Sequence, residues 1–360
     1  MLLVLGILIF VLLVVVHELG HMLVARRNGV EAEEFGVGFP PRLYGRKFNK
    51  AGTLYSINLL PLGGFVKLKG ENAEDKRPGS FGAASFWSQV KILLAGVAMN
   101  FIAAFVLFLI LALTSMPQLL PNQFTIVSDE KVTHAEVLVG AVSGETPAAK
   151  ILKSGDRITQ INERSIESSE ELIETLKPLA GQEVELTYYR DSKLQTSTVE
   201  VAKHPEEDRG ILGVQPFTLQ SSRYGWSAPA VAAGLTWQVT ELTAKGVYGA
   251  ITGLISGNVG VAKETVAGPV GVVAILGGIS ELGLLNHIVF LMAGISVSLA
   301  VLNMLPIPAL DGGRVAVLGA FKALKKPLTA KMENAIHGTG FVALMLLIIL
   351  ISIIDVQRFF

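Results

Sequence analysis

The chain has 360 residues, 51% of them hydrophobic and 17% charged, with zero formal net charge and a mean hydropathy of +0.52. These values suit a polytopic membrane protein carrying a soluble insert rather than one globular domain, and the balanced charge leaves nucleic-acid binding without support. The chain has no cysteine, which excludes disulfides and restricts any zinc site to His and carboxylate ligands.

The first predicted element is a membrane-spanning helix over residues 2–25. Leu2 to Val16 carry no charge, and the run closes on Arg26-Arg27. The basic residues follow the apolar stretch instead of preceding it, so a removable signal peptide is not expected. Within this helix stands His17-Glu18-Leu19-Gly20-His21, an H-E-x-x-H motif in a place where ionisable groups are costly and usually functional. Positions i and i+4 share a helix face, so both imidazoles can grip one ion, while Glu18 can reach a metal-bound water as general base. The same residues would also serve a polar packing cluster or a proton relay; neither explains a Glu directly after the first His.

After this span, Leu54-Tyr55-Ser56-Ile57-Asn58-Leu59 and Gly64-Phe65-Val66-Lys67-Leu68 read as strands joined through Pro61-Leu62-Gly63. They predict a membrane-associated β-hairpin. A second span follows over residues 92–114, with Asn100 as a polar group inside it. Residues 135–204 then alternate like a small β-rich domain, with strands at Val137–Val139, Ile158–Ile161, Val184–Tyr188 and Thr198–Val201, and a helix from Ser169 to Leu176. Pro147-Ala148-Ala149 with Leu152, Gly155-Asp156 and Ile158 resembles the signature stretch of PDZ domains. Gly210-Ile211-Leu212-Gly213 resembles that family's peptide-binding loop, and PDZ domains take up a chain end by strand addition.

Residues 228–256 are apolar enough to be mistaken for a span. Gln238, Glu241, Lys245, Trp226 and Trp237 instead suit a helix lying on the outer membrane surface. The run from Gly268 to Ile279 is too short to cross. Spans three and four are expected at 285–305 and 339–354. The domains read as 1–114, 115–215, 216–284 and 285–360.

Lys and Arg set the sides. Arg26, Arg27, Arg42, Arg46, Lys47, Lys50, Lys67, Lys69, Lys76 and Arg77 lie between spans one and two. Arg314, Lys322, Lys325, Lys326 and Lys331 lie between spans three and four. Both loops should be cytoplasmic, leaving the insert outside. Asp311 is the only acidic residue between Glu281 and Glu333, and this topology puts it on the side from which the histidine helix exits. Pro306 and Pro308 break helical bonding, and Gly312-Gly313 permit a tight turn, so Asp311 can reach inward as a third ligand. The alternative role is a cap for the helix that follows, less favoured because the sides of the two segments agree.

The H-E-x-x-H motif, the Asn303 to Gly313 stretch and the PDZ-like insert between spans two and three together resemble site-two proteases of the bacterial RseP/RasP type with a single PDZ domain. Phe35-Gly36-Val37-Gly38-Phe39, Pro61 to Lys67, Ala95-Gly96 with Asn100, and Gly268-Pro269 extend the likeness; Pro40 departs from it, where a glycine often follows Phe39. The resemblance implies a polytopic α-helical fold of four transmembrane helices with an extracytoplasmic PDZ-like α/β insert. It further implies a Zn²⁺-dependent intramembrane endopeptidase in the bacterial inner membrane, cutting transmembrane proteins that are single-pass and pre-trimmed. His17, His21 and Asp311 would hold the metal and Glu18 would act as base. Asn100 and Asn303 would bind substrate or oxyanion. Gly64, Phe65 and Val66 would hold the substrate extended. Regulated proteolysis and signal-peptide clearance are both compatible with it. A non-catalytic PDZ-bearing adaptor, an ion or proton transporter, and a zinc peptidase acting on soluble peptides remain as rival classes.

Overall fold

A computed structural model describes residues 2–47, 52–71, 74–143, 146–190, 193–203, 210–256, 268–281 and 284–359. Lys50 and residues 257–267 of the expected surface segment lie outside them. The chain divides into two units, Met1–Ile110 with Ala232–Phe360, and Leu111–Val231.

Four helices of the described residues are long and apolar enough to cross a membrane: α1 (Leu2–Arg27), α2 (Phe86–Thr114), α6 (Leu285–Met304) and α8 (Ala330–Phe359). α1 is an unbroken apolar run whose only polar turn is the histidine motif. It ends where Gly29 takes φ +76° and Val30 N–H reaches back to Ala25 O at 2.9 Å, while Arg26 and Arg27 face the negative helix end. Ser85 starts α2 by accepting Ser88 N–H at 3.2 Å. α2 packs on α6 through Phe108 and Phe290, edge to face at 5.2 Å. The fourth span starts nine residues earlier than the sequence suggests, because Lys331, Glu333 and His337 are carried on an extra N-terminal stretch of the same helix.

Two further helices do not reach the span criteria. α4 (Ala228–Ile255) exposes Trp237 and Tyr248 and carries the expected Glu241–Lys245 ion pair at 2.6 Å. α5 (Pro269–Glu281) is apolar but only 13 residues long. The amide of Gly271 in its first turn donates to the buried Asp355 carboxylate of α8 at 2.8 Å, which satisfies both groups away from water.

Between α1 and α2 the chain forms β1 (Ala32–Lys47) and β2 (Leu54–Leu68). Both stretches expected as strands lie in β2, but they do not pair with each other. Residues 35–37 of β1 run between them, facing Val66, Phe65 and Gly64 on one side and Tyr55, Ser56 and Ile57 on the other, while Arg42 to Lys47 pair with Asn58 to Leu54. The expected hairpin is therefore a larger folded sheet. Sequence reading missed β1 because its glycines and prolines argue against a strand. Arg26 donates to Tyr55 Oη at 2.9 Å and Thr53 Oγ1 at 3.0 Å, which ties this sheet to the end of α1. Gly63 and Gly64 let β2 lie close against Val14 and Val15.

The second unit contains a seven-stranded sheet ordered β3 (Met116–Pro117), β11 (Val214–Arg223), β4 (Lys131–Val142), β5 (Arg157–Ile161), β7 (Glu183–Arg190), β8 (Lys193–Glu200), with β6 (Arg164–Ser165) beside β5. Helix α3 (Ser169–Leu176) covers it and has the predicted bounds. Its N-cap Ser168 accepts Glu171 N–H at 3.1 Å. Leu172 and Leu176 join Val137, Val139, Ile158 and Leu186 in one core, the period of a half-buried helix over alternating strands. A two-stranded piece, β9 (Ala202–Lys203) with β10 (Gly210–Ile211), completes the unit.

Candidate metal centre

His17 and His21 sit one turn apart near the end of α1, and Asp311 opens helix α7 (Asp311–Ala323). The chain turns between α6 and α7 without regular structure. Gly312 and Gly313 lie so close to the carbonyls of Met304 and Ile307 that a Cβ at either would overlap backbone. Ala309 takes φ +87°, a conformation costly for a residue with a Cβ. Its N–H donates to His337 Nδ1 at 3.2 Å.

This turn brings one carboxylate oxygen to the two imidazoles. Asp311 Oδ2 is 3.2 Å from His17 Nε2 and 3.4 Å from His21 Nε2, and the two Nε2 atoms are 3.2 Å apart. Four ligands around a zinc at about 2.0–2.1 Å stand about 3.3 Å from one another if tetrahedral. The three atoms thus match one face of such a site. These three form the one His/Asp/Glu group of this kind among the described residues.

Proton placement favours a cation. His21 Nδ1 lies 2.7 Å from Ile92 O; a carbonyl only accepts, so that nitrogen carries a proton and Nε2 is the atom left to face Asp311. A lone pair and a carboxylate oxygen facing each other inside the bundle repel unless a positive charge lies between them.

α2 supplies the wall. A Cβ on Gly96 would overlap His21 Nε2 and lie 2.6–2.7 Å from the His17 ring, and one on Gly20 would lie 2.6 Å from Met99 Cγ. Both positions must be glycine for the helices to close on the imidazoles. Glu18 follows His17 directly, and its Oε2 accepts Val66 N–H from β2 at 3.1 Å. Gly64, Phe65 and Val66 are thereby beside the site. Asn100 is fully buried, with neither amide atom hydrogen-bonded, and its carbonyl accepts Ser296 Oγ–H at 2.8 Å. Asn303 stands half-buried in the last turn of α6. In the other unit, Gly210 and Ile211 form β10, Leu212 is buried in the core, and Gly213 at φ +71° leads into β11.

The sequence reading did not assign roles to Ile92, His337 or Arg314. Ile92 acts through its carbonyl, which no side-chain pattern announces. His337 was readable only as a polar residue just outside the expected fourth span.

Comparison with known proteins adds independent findings. Residues 5–347 match the model of peptidase family M50. A Clostridium acetobutylicum protein whose zinc metalloprotease name is itself provisional is 31% identical over 356 residues, covering 98% of this chain and 96% of that one. The regulator of sigma-W protease RasP of Bacillus subtilis is 27% identical, covering 98% of each chain. Among solved structures, the PDZ domain of an SdrC-like protein from Listeria monocytogenes is 28% identical over 24% of this chain and 92% of its own, with a TM-score of 0.23.

Proposed function

The chain belongs to peptidase family M50, and from that premise we propose which residues perform its chemistry. It is a membrane-embedded zinc metalloprotease. His17, His21 and Asp311 would hold the zinc, which when bound acidifies a water and polarises a carbonyl. The convergence of three acceptor atoms at 3.2–3.4 Å carries this reading. Glu18, adjacent to His17 in the chain, would remove the proton from the attacking water and return it to the leaving amine. Asn100 and Asn303 are the nearby amides suited to hold a substrate carbonyl or the developing oxyanion.

A helical substrate hides its peptide groups, so it must be unwound and its backbone repartnered. The edge of β2 at Gly64, Phe65 and Val66 faces Glu18 and would receive the substrate as an added strand beside the metal ligands. The substrates are transmembrane proteins, single-pass and pre-trimmed by another protease, met within the lipid of the bacterial inner membrane. The charge pattern of the loops supports an active site toward the cytoplasm and an insert outside. The domains named from sequence are 1–114, 115–215, 216–284 and 285–360, with the insert carried past 215 through β11 to the end of its unit at Val231. In the PDZ-like insert, the stretch Gly210, Ile211, Leu212 and Gly213 would take a newly exposed chain end, gating entry of untrimmed proteins.

The test is Glu18→Gln with a transmembrane substrate. Turnover should fall by about 10²–10⁴ while bound zinc stays near one per chain. Full activity in this variant would remove Glu18 from the chemistry, and accumulating membrane fragments in cells would name the substrates. Val66→Pro should slow cleavage and spare zinc, since the lost N–H points outward from the sheet.

A further inference from the structure

Of the three candidate ligands, Asp311 has the weakest local support. The histidines are set by their own helix and by α2, whereas Asp311 follows an irregular turn, and its N-cap Leu310 contributes no side-chain hydrogen bond. Something outside the turn must fix where α7 begins.

Arg314 lies three residues on, in the same helical turn. Its guanidinium donates to Glu71 O at 3.0 Å, rests 5.6 Å from the centroid of the buried Phe81 ring, and lies 3.9 Å from Glu333 Oε1. Glu71 in turn closes β2, its Oε1 accepting Leu68 N–H at 2.9 Å. A continuous set of contacts therefore runs from the strand beside Glu18 to the first turn of α7. A guanidinium suits it, because a planar fork can donate in its plane while a ring packs on its face; a lysine can do only one of these at a time.

We propose that Arg314 is a positioning residue of the metal centre: by anchoring the first turn of α7 to the end of β2, it holds the Asp311 carboxylate opposite the two imidazoles. This rests on the assignment of His17, His21 and Asp311 as zinc ligands. The competing role is neutralisation of Glu333, which is 3% exposed and would be costly as a buried charge without its cation.

Zinc affinity of the full-length protein in detergent, measured by chelator competition, separates the two roles. Arg314→Gln should weaken binding about 10- to 100-fold, the usual cost of losing a group that orients a ligand. The double variant Arg314→Gln/Glu333→Gln should stay equally weak, although it leaves no buried charge unpaired. Arg314→Lys should recover part of the affinity, and in all three kcat should fall with KM near wild type, since no substrate contact is lost. Wild-type affinity in the double variant overturns the proposal and assigns Arg314 to charge balance, and wild-type affinity in Arg314→Gln alone overturns it outright. If the wild-type protein takes up no zinc, the ligand assignment itself fails, an outcome visible before any variant is compared.

Discussion

In the insert, the side chains that make the core all come from residues 137–212 and meet as soon as neighbouring strands pair and α3 folds over them. At the proposed metal centre, two candidate ligands come from one helical turn and the third from a segment almost three hundred residues later. The insert is held by apolar side chains that tolerate some repacking. The metal centre is held by positions where nothing larger than hydrogen fits, such as Gly20, Gly96, Gly312 and Gly313, and by backbone groups such as Ile92 O. A packed core spreads its stability over many contacts, whereas a coordination site concentrates it in a few that permit little displacement.

That difference can be broken most sharply at Asp311. Asp311→Ala should abolish both turnover and stable zinc binding while the insert keeps its hydrogen-exchange protection; retained stoichiometric zinc would show that another residue completes the site. Gly96→Ala comes next. One added methyl against the His17 and His21 rings should lower zinc affinity measurably and cost about 1–3 kcal/mol of packing, and a variant that binds zinc normally would mean α2 can move aside. Leu186→Ala makes the converse cut. It should destabilise the insert by about 2–5 kcal/mol, read by amide exchange, without changing zinc content.

The smallest effect concerns pH. Hydrogen bonds from Ser227 N–H, Ser227 Oγ–H and Gly225 N–H hold the Asp129 carboxyl below its ordinary range. A depressed folded-state value means the contribution is present above the unfolded pKa of about 3.9 and is lost as pH falls below it. Asp129→Asn should therefore make exchange in the Leu111–Val231 unit less sensitive to acid below about pH 4, with no change near neutrality in how that unit responds to pH. An unaltered acid response would exclude this carboxylate as a contributor.

Particular residues show what was legible beforehand. The bounds of α3 could be read because Ser168 caps it and Leu172 and Leu176 recur at helical spacing. Asp311 could be singled out because it stands alone among apolar and basic residues and the loop charges put it on the side of His21. β1 could not, since Gly36, Gly38, Pro40 and Pro41 contradict strand propensity and only its neighbours in β2 on both sides override that. Nor could the roles of Ile92 and Arg314 be read. One works through a carbonyl every residue possesses, and the other through a bond to the backbone of Glu71, 243 positions away.

The amino-acid sequence alone determined the four long apolar helices, the insert and which side chains are candidates for the chemistry, because hydropathy, periodicity and residue type are local properties. Only the tertiary structure decided that three acceptor atoms face one point at zinc-like spacing, that β2 presents its edge to Glu18, and that α2 can approach through Gly96. Those outcomes depend on distances of a few tenths of an ångström between segments far apart in the chain, and such distances are set by packing and backbone hydrogen bonds that no short window of sequence encodes.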